Sequence, residues 1–133
     1  MHADHAAHLA RSLDLVAERC ADPAPLVYAR LFAAQPELEA LFIRDRAGSV
    51  RGQMLAVAIE ALLYLAGPGH YAAGLLHCER VNHEGLGVPP DAFEAFFPIL
   101  HEVFRDLAGA GWTADMERAW QMVLTEVQGA AAD

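Results

Sequence analysis

The chain has 133 residues and 55% of them are apolar, which is enough for one globular domain with a substantial core over residues 1–133. Its formal charge of −9, from 18 acidic and 9 basic side chains, argues against a nucleic-acid partner, because nucleic-acid phosphates would be repelled.

Neither secretion nor a membrane is expected from the sequence. The first residues lack the basic and apolar regions of a secretory signal. The longest apolar run, residues 54–67, is interrupted by Glu60 and looks too short to cross a bilayer. Cys20 and Cys78 form no CxxC pattern, so we expect free thiols in a cytoplasmic protein.

Apolar residues recur with helical spacing along the chain, and alternating strand patterns are nearly absent. The predicted helices are, in chain order, about residues 4–20, 24–34, 36–42, 50–66, 70–83, 90–108 and a last helix that follows Thr113. Asp22, Ser49 and Thr113 are expected to cap the helices that they precede, and Pro36 opens the short one. The prediction is an all-α fold with six long helices, one short helix and brief connections.

Each predicted helix has residues that are expected to face inward. In the first two they are Leu9, Leu13, Val16, Cys20, Leu26, Tyr28, Ala29, Leu31 and Phe32, and in the helix at 50–66 they are Leu55, Ala58, Leu62 and Leu65. In the last two they are Phe93, Phe96, Phe97, Leu100, Val103, Phe104, Leu107, Met116, Trp120, Val123 and Val127.

Three motifs, taken with their spacing, resemble the bacterial globins of the branch that contains flavohaemoglobins and single-domain haemoglobins. The first, "VYARLFAAQPELEALF" at 27–42, resembles their second and third helices. The second, "NHEGLGV" at 82–88, resembles their histidine that is followed by Gly-Val, and the third is "AW" at 119–120. Leu55 and His83 have the separation expected between the distal helix and the proximal histidine. The resemblance covers essentially the whole chain and implies a globin fold.

The resemblance also implies haem b as cofactor and a diatomic gas (dioxygen, nitric oxide or carbon monoxide) as ligand. His83 would bind the iron, and its other ring nitrogen would donate to a backbone carbonyl about one turn earlier. Gly85 and Gly87 would allow the turn that follows. Taken alone, His83 is an ordinary histidine at a helix end, and His77 is the reserve ligand.

Six further residues are implied as contacts of the cofactor or its ligand: Tyr28, Phe42, Arg51, Leu55, Val88 and Phe93. Tyr28 would donate its hydroxyl to bound gas, and Phe42 would pack against the porphyrin. Arg51 stands four residues before the apolar distal Leu55, where the family commonly has glutamine or histidine. Arg51 could reach the gas ligand, pair with a haem propionate or stay solvated, whereas Gln53 is expected on a different face.

Two positions depart from the family pattern. Glu79 lies four residues before His83, where globins have an apolar side chain, so we expect it to rotate outward or the helix to distort. Phe93 replaces the tyrosine with which flavohaemoglobins hold the proximal histidine. The loss of that contact weakens the electron donation from the proximal histidine to the iron, which supports peroxide-type chemistry. It therefore argues against a dedicated oxidase.

Two other functions stay open at this point. One is a globin-fold sensor or interaction module without haem that binds an apolar ligand. The other is a nitric oxide dioxygenase that depends on a separate reductase. A homodimer formed through the last two helices is implied only by resemblance.

Overall fold

The structure, a computed structural model, describes residues 2–42, 45, 48–67, 79, 83 and 90–132. Its α-helices are α1 (His2–Arg19), α2 (Ala24–Ala34), α3 (Ser49–Ala66), α4 (Pro90–Ala108) and α5 (Ala114–Ala132). Short 3-10 helices at Pro36–Phe42 and Gly109–Gly111 follow α2 and α4. No strand occurs within these ranges, and the predicted all-α class is confirmed. The helix predicted over 70–83 lies outside the described residues except for Glu79 and His83, which are both helical.

Two side chains predicted as helix caps bond to the first turn of their helix, although Pro23 and not Asp22 is the N-cap residue of α2. The Oδ1 atom of Asp22 accepts a hydrogen bond from the backbone N–H of Ala24 at 3.2 Å. The Oγ1 atom of Thr113 accepts one from the N–H of Met116 at 3.1 Å. Both bonds satisfy N–H groups in a first helical turn that have no partner within the helix.

The start of α3 differs from the prediction. Ser49 is already the first helical residue, and Gly48 before it has a left-handed φ of 78°. The carboxylate of Asp45 accepts from the N–H of Val50 at 3.1 Å and from the N–H of Arg51 at 3.0 Å. The expected capping role of Ser49 was therefore wrong, because the chain turns at Gly48 and brings Asp45 over the helix end.

The described helices share one apolar core, in which α1 packs against α3, α4 and α5. Trp120 of α5 is fully buried, and its indole Nε1–H donates to the Oγ of Ser12 at 2.9 Å. The Ser12 hydroxyl in turn donates to the carbonyl oxygen of Leu9 at 2.6 Å. A polar residue inside α1 is thus fully paired, and it fixes α5 against α1.

Most residues predicted to face inward are buried or partly buried, above all along α4 and α5. On α2 the prediction was partly wrong, since Leu26 is 47% exposed and Ala29 is also exposed. The buried face of α2 consists of Ala24, Val27, Tyr28 and Leu31. These positions follow the i, i+3, i+4, i+7 spacing of one helical face, which excludes Leu26.

Within the described ranges, α3 is long and apolar enough to cross a membrane, judged by length and composition alone. Its mean hydropathy is 1.3 over 18 residues, so the expectation that this run is too short was wrong. A core helix of a globular protein can meet the same criteria of length and composition. Leu55, Leu62 and Leu65 of α3 are buried in the shared core, so the length of α3 identifies no membrane partner.

Candidate functional site

A cavity of about 210 Å³ lies between α2, the 3-10 helix that follows it, α3 and α4, with Glu79 and His83 on its wall. The apolar lining consists of Leu31, Leu38, Leu41, Phe42, Met54, Val57, Ala58, Ala61, Phe93, Phe96 and Phe97. The polar lining consists of Tyr28, Gln53, Glu79 and His83. A cavity of this size has room for more than one water molecule. Its apolar walls favour an apolar ligand that carries a few polar groups.

His83 has a fixed ring orientation. Its Nδ1 lies 2.6 Å from the carbonyl oxygen of Glu79, one helical turn earlier. A carbonyl oxygen can only accept, so Nδ1 carries the proton and Nε2 keeps the lone pair of the neutral ring. The Phe93 ring packs against the imidazole with centroids 5.2 Å apart. The predicted hydrogen bond to a carbonyl one turn earlier is present, and Nε2 is the atom able to ligate a metal.

Glu79 does not leave the site. Its side chain is 37% exposed, yet it lines the cavity, with Oε2 3.8 Å from Nδ1 of His83. The side chain that was expected to rotate outward thus lies at the cavity edge, in part open to solvent, and the helix around it, where a distortion was the alternative, lies outside the described residues. Partial access to water lowers the cost of holding its charge at the cavity edge.

Tyr28 brings a hydroxyl group into apolar surroundings. The residue is 1% exposed, and the hydroxyl has no hydrogen-bond partner among the residues that the structure describes. The rings of Phe32, Phe42 and Phe96 surround it with centroids 6.0, 5.5 and 5.7 Å away. Burial raises the pKa of Tyr28 far above its ordinary value, so the hydroxyl stays protonated. A buried hydroxyl on a residue that lines the cavity is available as a donor to an acceptor that enters it.

Gln53 and Val57 lie four positions apart on α3, and both line the cavity. Gln53 was expected on a different face from Arg51, and it is Gln53, not Arg51, that lines the cavity. Leu55, predicted as the apolar distal residue, is 4% exposed and packs in the core, and it does not line the cavity. Leu55 lies on the core-facing side of α3, whereas Gln53 and Val57, each two residues after a predicted distal residue, line the cavity.

Arg51, predicted at the polar distal position, is held by Asp45 and is not part of the cavity lining. Its Nε lies 3.2 Å from Oδ2 of Asp45, and its Nη2 lies 2.7 Å from the carbonyl oxygen of Asp45. Burial acts to raise the pKa of Asp45, but the hydrogen bonds from Arg51 and Val50 outweigh it and lower that pKa below its usual range.

Of the remaining predicted site residues, Phe42 and Phe93 line the cavity. Val88 and the reserve ligand His77 lie outside the described residues. The sequence reasoning missed Met54 and Val57. The spacing i, i+4 and i+8 from Gln53 through Val57 to Ala61 is a signal that could have found Val57, and the spacing i, i+4 from Met54 to Ala58 is one that could have found Met54.

The family model described as Globin matches residues 26–131, which run from within α2 to within α5 and contain all the cavity residues. No curated protein matches the chain, and no solved structure does. The matched segment covers most of the 133 residues, and it contains both the helical fold and the cavity. The chain therefore belongs to the globin family.

Proposed function

We propose that this globin, of the bacterial single-domain kind, binds haem b with His83 as the iron ligand and takes up a diatomic gas in the cavity. The observation that carries the proposal is the state of His83. Its Nδ1 proton is engaged by the carbonyl of Glu79, so a neutral Nε2 is available on a residue that lines an apolar cavity. This is the arrangement by which a protein orients a metal-binding imidazole.

The protein ligands available also fit haem better than a free metal ion. Among the described residues, no group of three or more His, Cys, Asp or Glu side chains could hold a metal ion. A single histidine suffices for haem iron, because the porphyrin supplies the other nitrogen ligands. The aromatic side chains of Phe42 and Phe93 would cover apolar porphyrin surface, and burial of that surface favours binding.

When bound, haem supplies an iron centre that coordinates a diatomic gas. Tyr28 is the residue that we propose as hydrogen-bond donor to that gas, because its buried hydroxyl stays protonated and otherwise has no partner among the described residues. Gln53 supplies a second polar group on the cavity wall. Hydrogen bonds in such an apolar space are stronger than hydrogen bonds in water.

The test is a haemin titration followed by visible absorption spectroscopy. The unmodified chain is expected to take up one equivalent of haemin with a sharp Soret band, which shifts when the reduced protein meets carbon monoxide. His83→Ala should lose this native spectrum, whereas His77→Ala should keep it. The reverse pattern would remove His83 as the iron ligand.

A chain that takes up no haemin would contradict the proposal as a whole. That result would support a haem-free globin domain that binds another apolar ligand in the same cavity. Circular dichroism of each variant before haemin is added shows whether it has kept the helical fold, so that misfolding is not mistaken for loss of the ligand.

A further inference from the structure

Glu79 makes two different contacts with the same nitrogen of His83. Its backbone carbonyl oxygen accepts the hydrogen bond from Nδ1 at 2.6 Å. Its carboxylate oxygen Oε2 lies 3.8 Å from Nδ1, beyond hydrogen-bond length but close enough for its negative charge to act on the Nδ1–H dipole. The carboxylate therefore acts on the imidazole through its negative charge.

The aromatic residues around His83 limit how much water screens the charge of Glu79. The Phe93 ring packs against the imidazole, and the adjoining wall carries Phe96 and Phe97. Apolar walls lower the effective dielectric constant and strengthen interactions between charges. The Glu79 side chain is 37% exposed, so water screens part of its charge and leaves the rest to act inside the cavity.

We propose that Glu79 is a positioning residue that, through His83, favours the oxidised state of the cofactor. This inference rests on the proposed function. A negative charge beside the Nδ1–H polarises the ring and makes Nε2 a stronger donor. The same charge stabilises the more positive oxidation state of a metal that Nε2 binds, because the ferric centre carries one more positive charge than the ferrous centre.

The experiment measures the reduction potential of the haem-loaded chain and of Glu79→Gln, which removes the charge and keeps nearly the same shape. In Glu79→Gln we expect the ferric-to-ferrous ratio at a fixed potential to fall about tenfold. This corresponds to a rise of about 59 mV in the reduction potential of a one-electron couple. Glu60→Gln is the matched control, since it removes the same charge from an exposed residue of α3 outside the cavity lining. Its potential should stay at the value of the unmodified chain.

Two further variants keep the test decisive. Glu79→Asp retains the charge and should keep most of the original potential. Glu79→Leu is a second neutral variant that stands in if Glu79→Gln folds poorly. In both neutral variants the iron–imidazole stretching frequency, measured by resonance Raman on the reduced protein, should be lower than in the unmodified chain.

The outcomes separate this inference from the proposed function. Stoichiometric haemin uptake together with an unchanged potential in both neutral variants would overturn the role of Glu79 and leave haem binding intact. A shift of equal size in Glu60→Gln would also overturn it, because the effect would then follow net charge. If the unmodified chain takes up no haemin, the proposed function fails and this inference fails with it.

Discussion

Asp45 holds Arg51 at the start of α3. The Oδ2 atom of Asp45 accepts from the backbone N–H of Arg51 at 3.0 Å and from its Nε at 3.2 Å, and the carbonyl oxygen of Asp45 accepts from Nη2 at 2.7 Å. With Arg51 engaged in this way, Gln53 is the side chain that the first turns of α3 place on the cavity wall as a polar group.

Gln53 and Arg51 should therefore differ in their effect on gas binding. Gln53→Leu is expected to speed dioxygen release from the haem-loaded protein about fivefold, because a hydrogen bond of about 1 kcal/mol is lost. Arg51→Leu should change that rate less than about twofold. Burial has a larger effect on the pKa of Tyr28 than the charge of Arg51 does. Stopped-flow displacement of dioxygen measures both rates, and a larger effect of Arg51→Leu would contradict this assignment.

The helix boundaries could be read from the sequence wherever proline or a capping side chain marks them. The approximate bounds predicted for α2, α4 and the short helix Pro36–Phe42 agree with the structure. The capping roles of Asp22 and Thr113 follow the same local rule, since each side chain reaches an N–H only two or three residues later.

The cavity-facing side of α3 could not be read from the sequence, because apolar residues occur around the whole helix. Leu55 faces the core, Val57 lines the cavity, and Val50 and Leu63 are exposed. Periodicity then favours no single face. The capping role of Asp45 was missed for a different reason. Asp45 lies several residues before the helix and reaches it only through the left-handed turn at Gly48.

Removal of the Tyr28 hydroxyl should have opposite effects on stability and on gas retention. In the haem-free protein the hydroxyl is buried without a partner among the described residues, so Tyr28→Phe should leave stability unchanged or raise it by up to about 1 kcal/mol. In the haem-loaded protein the same change should speed dioxygen release about tenfold, because about 1.4 kcal/mol of hydrogen bonding is lost.

Urea unfolding and dioxygen displacement check the two parts of this prediction separately. Tyr64→Phe is the control, because Tyr64 lies on α3 outside the cavity lining and is 48% exposed. Its dioxygen release should match that of the unmodified protein. An unchanged release rate in Tyr28→Phe would place the Tyr28 hydroxyl outside the network around the gas.

Glu117 of α5 accepts three hydrogen bonds, and the one from His101 joins α5 to α4. Its Oε1 accepts from Nε2 of His101 and from Nε1 of Trp112, both at 2.8 Å, and its Oε2 accepts from Nε2 of Gln121 at 2.7 Å. Burial acts to raise the pKa of Glu117, but the hydrogen bonds outweigh it and lower that pKa to about 2. The folded state therefore favours the ionised carboxylate.

The stability that this carboxylate contributes should depend on pH. Its pKa is about 2 in the folded chain against an ordinary value of 4.5, so the contribution is complete above pH 4.5 and is lost as the pH falls towards 2. Glu117→Gln should lower the free energy of unfolding at pH 7 by about 2 kcal/mol, and the difference should shrink below pH 4.5. Urea unfolding at several pH values measures it. Glu102→Gln, at an exposed position of α4, should show no comparable trend.

Gly48 and Gly52 allow the backbone turn before α3 to be tested against a neighbouring helical glycine. Gly48 has a φ of 78°, whereas Gly52 is inside α3 with no atom within 4 Å of an added Cβ. An added Cβ at Gly48 would meet Arg51 only at 3.5 Å, so the cost of Gly48→Ala comes from its left-handed backbone, about 1–2 kcal/mol. Gly52→Ala should instead stabilise the protein by up to about 1 kcal/mol, because alanine loses less conformational entropy in a helix.

Urea unfolding of the two variants should therefore give changes of opposite sign in the free energy of unfolding. A Gly48→Ala variant as stable as the unmodified protein would mean that Asp45 can reach the start of α3 without a left-handed residue at position 48.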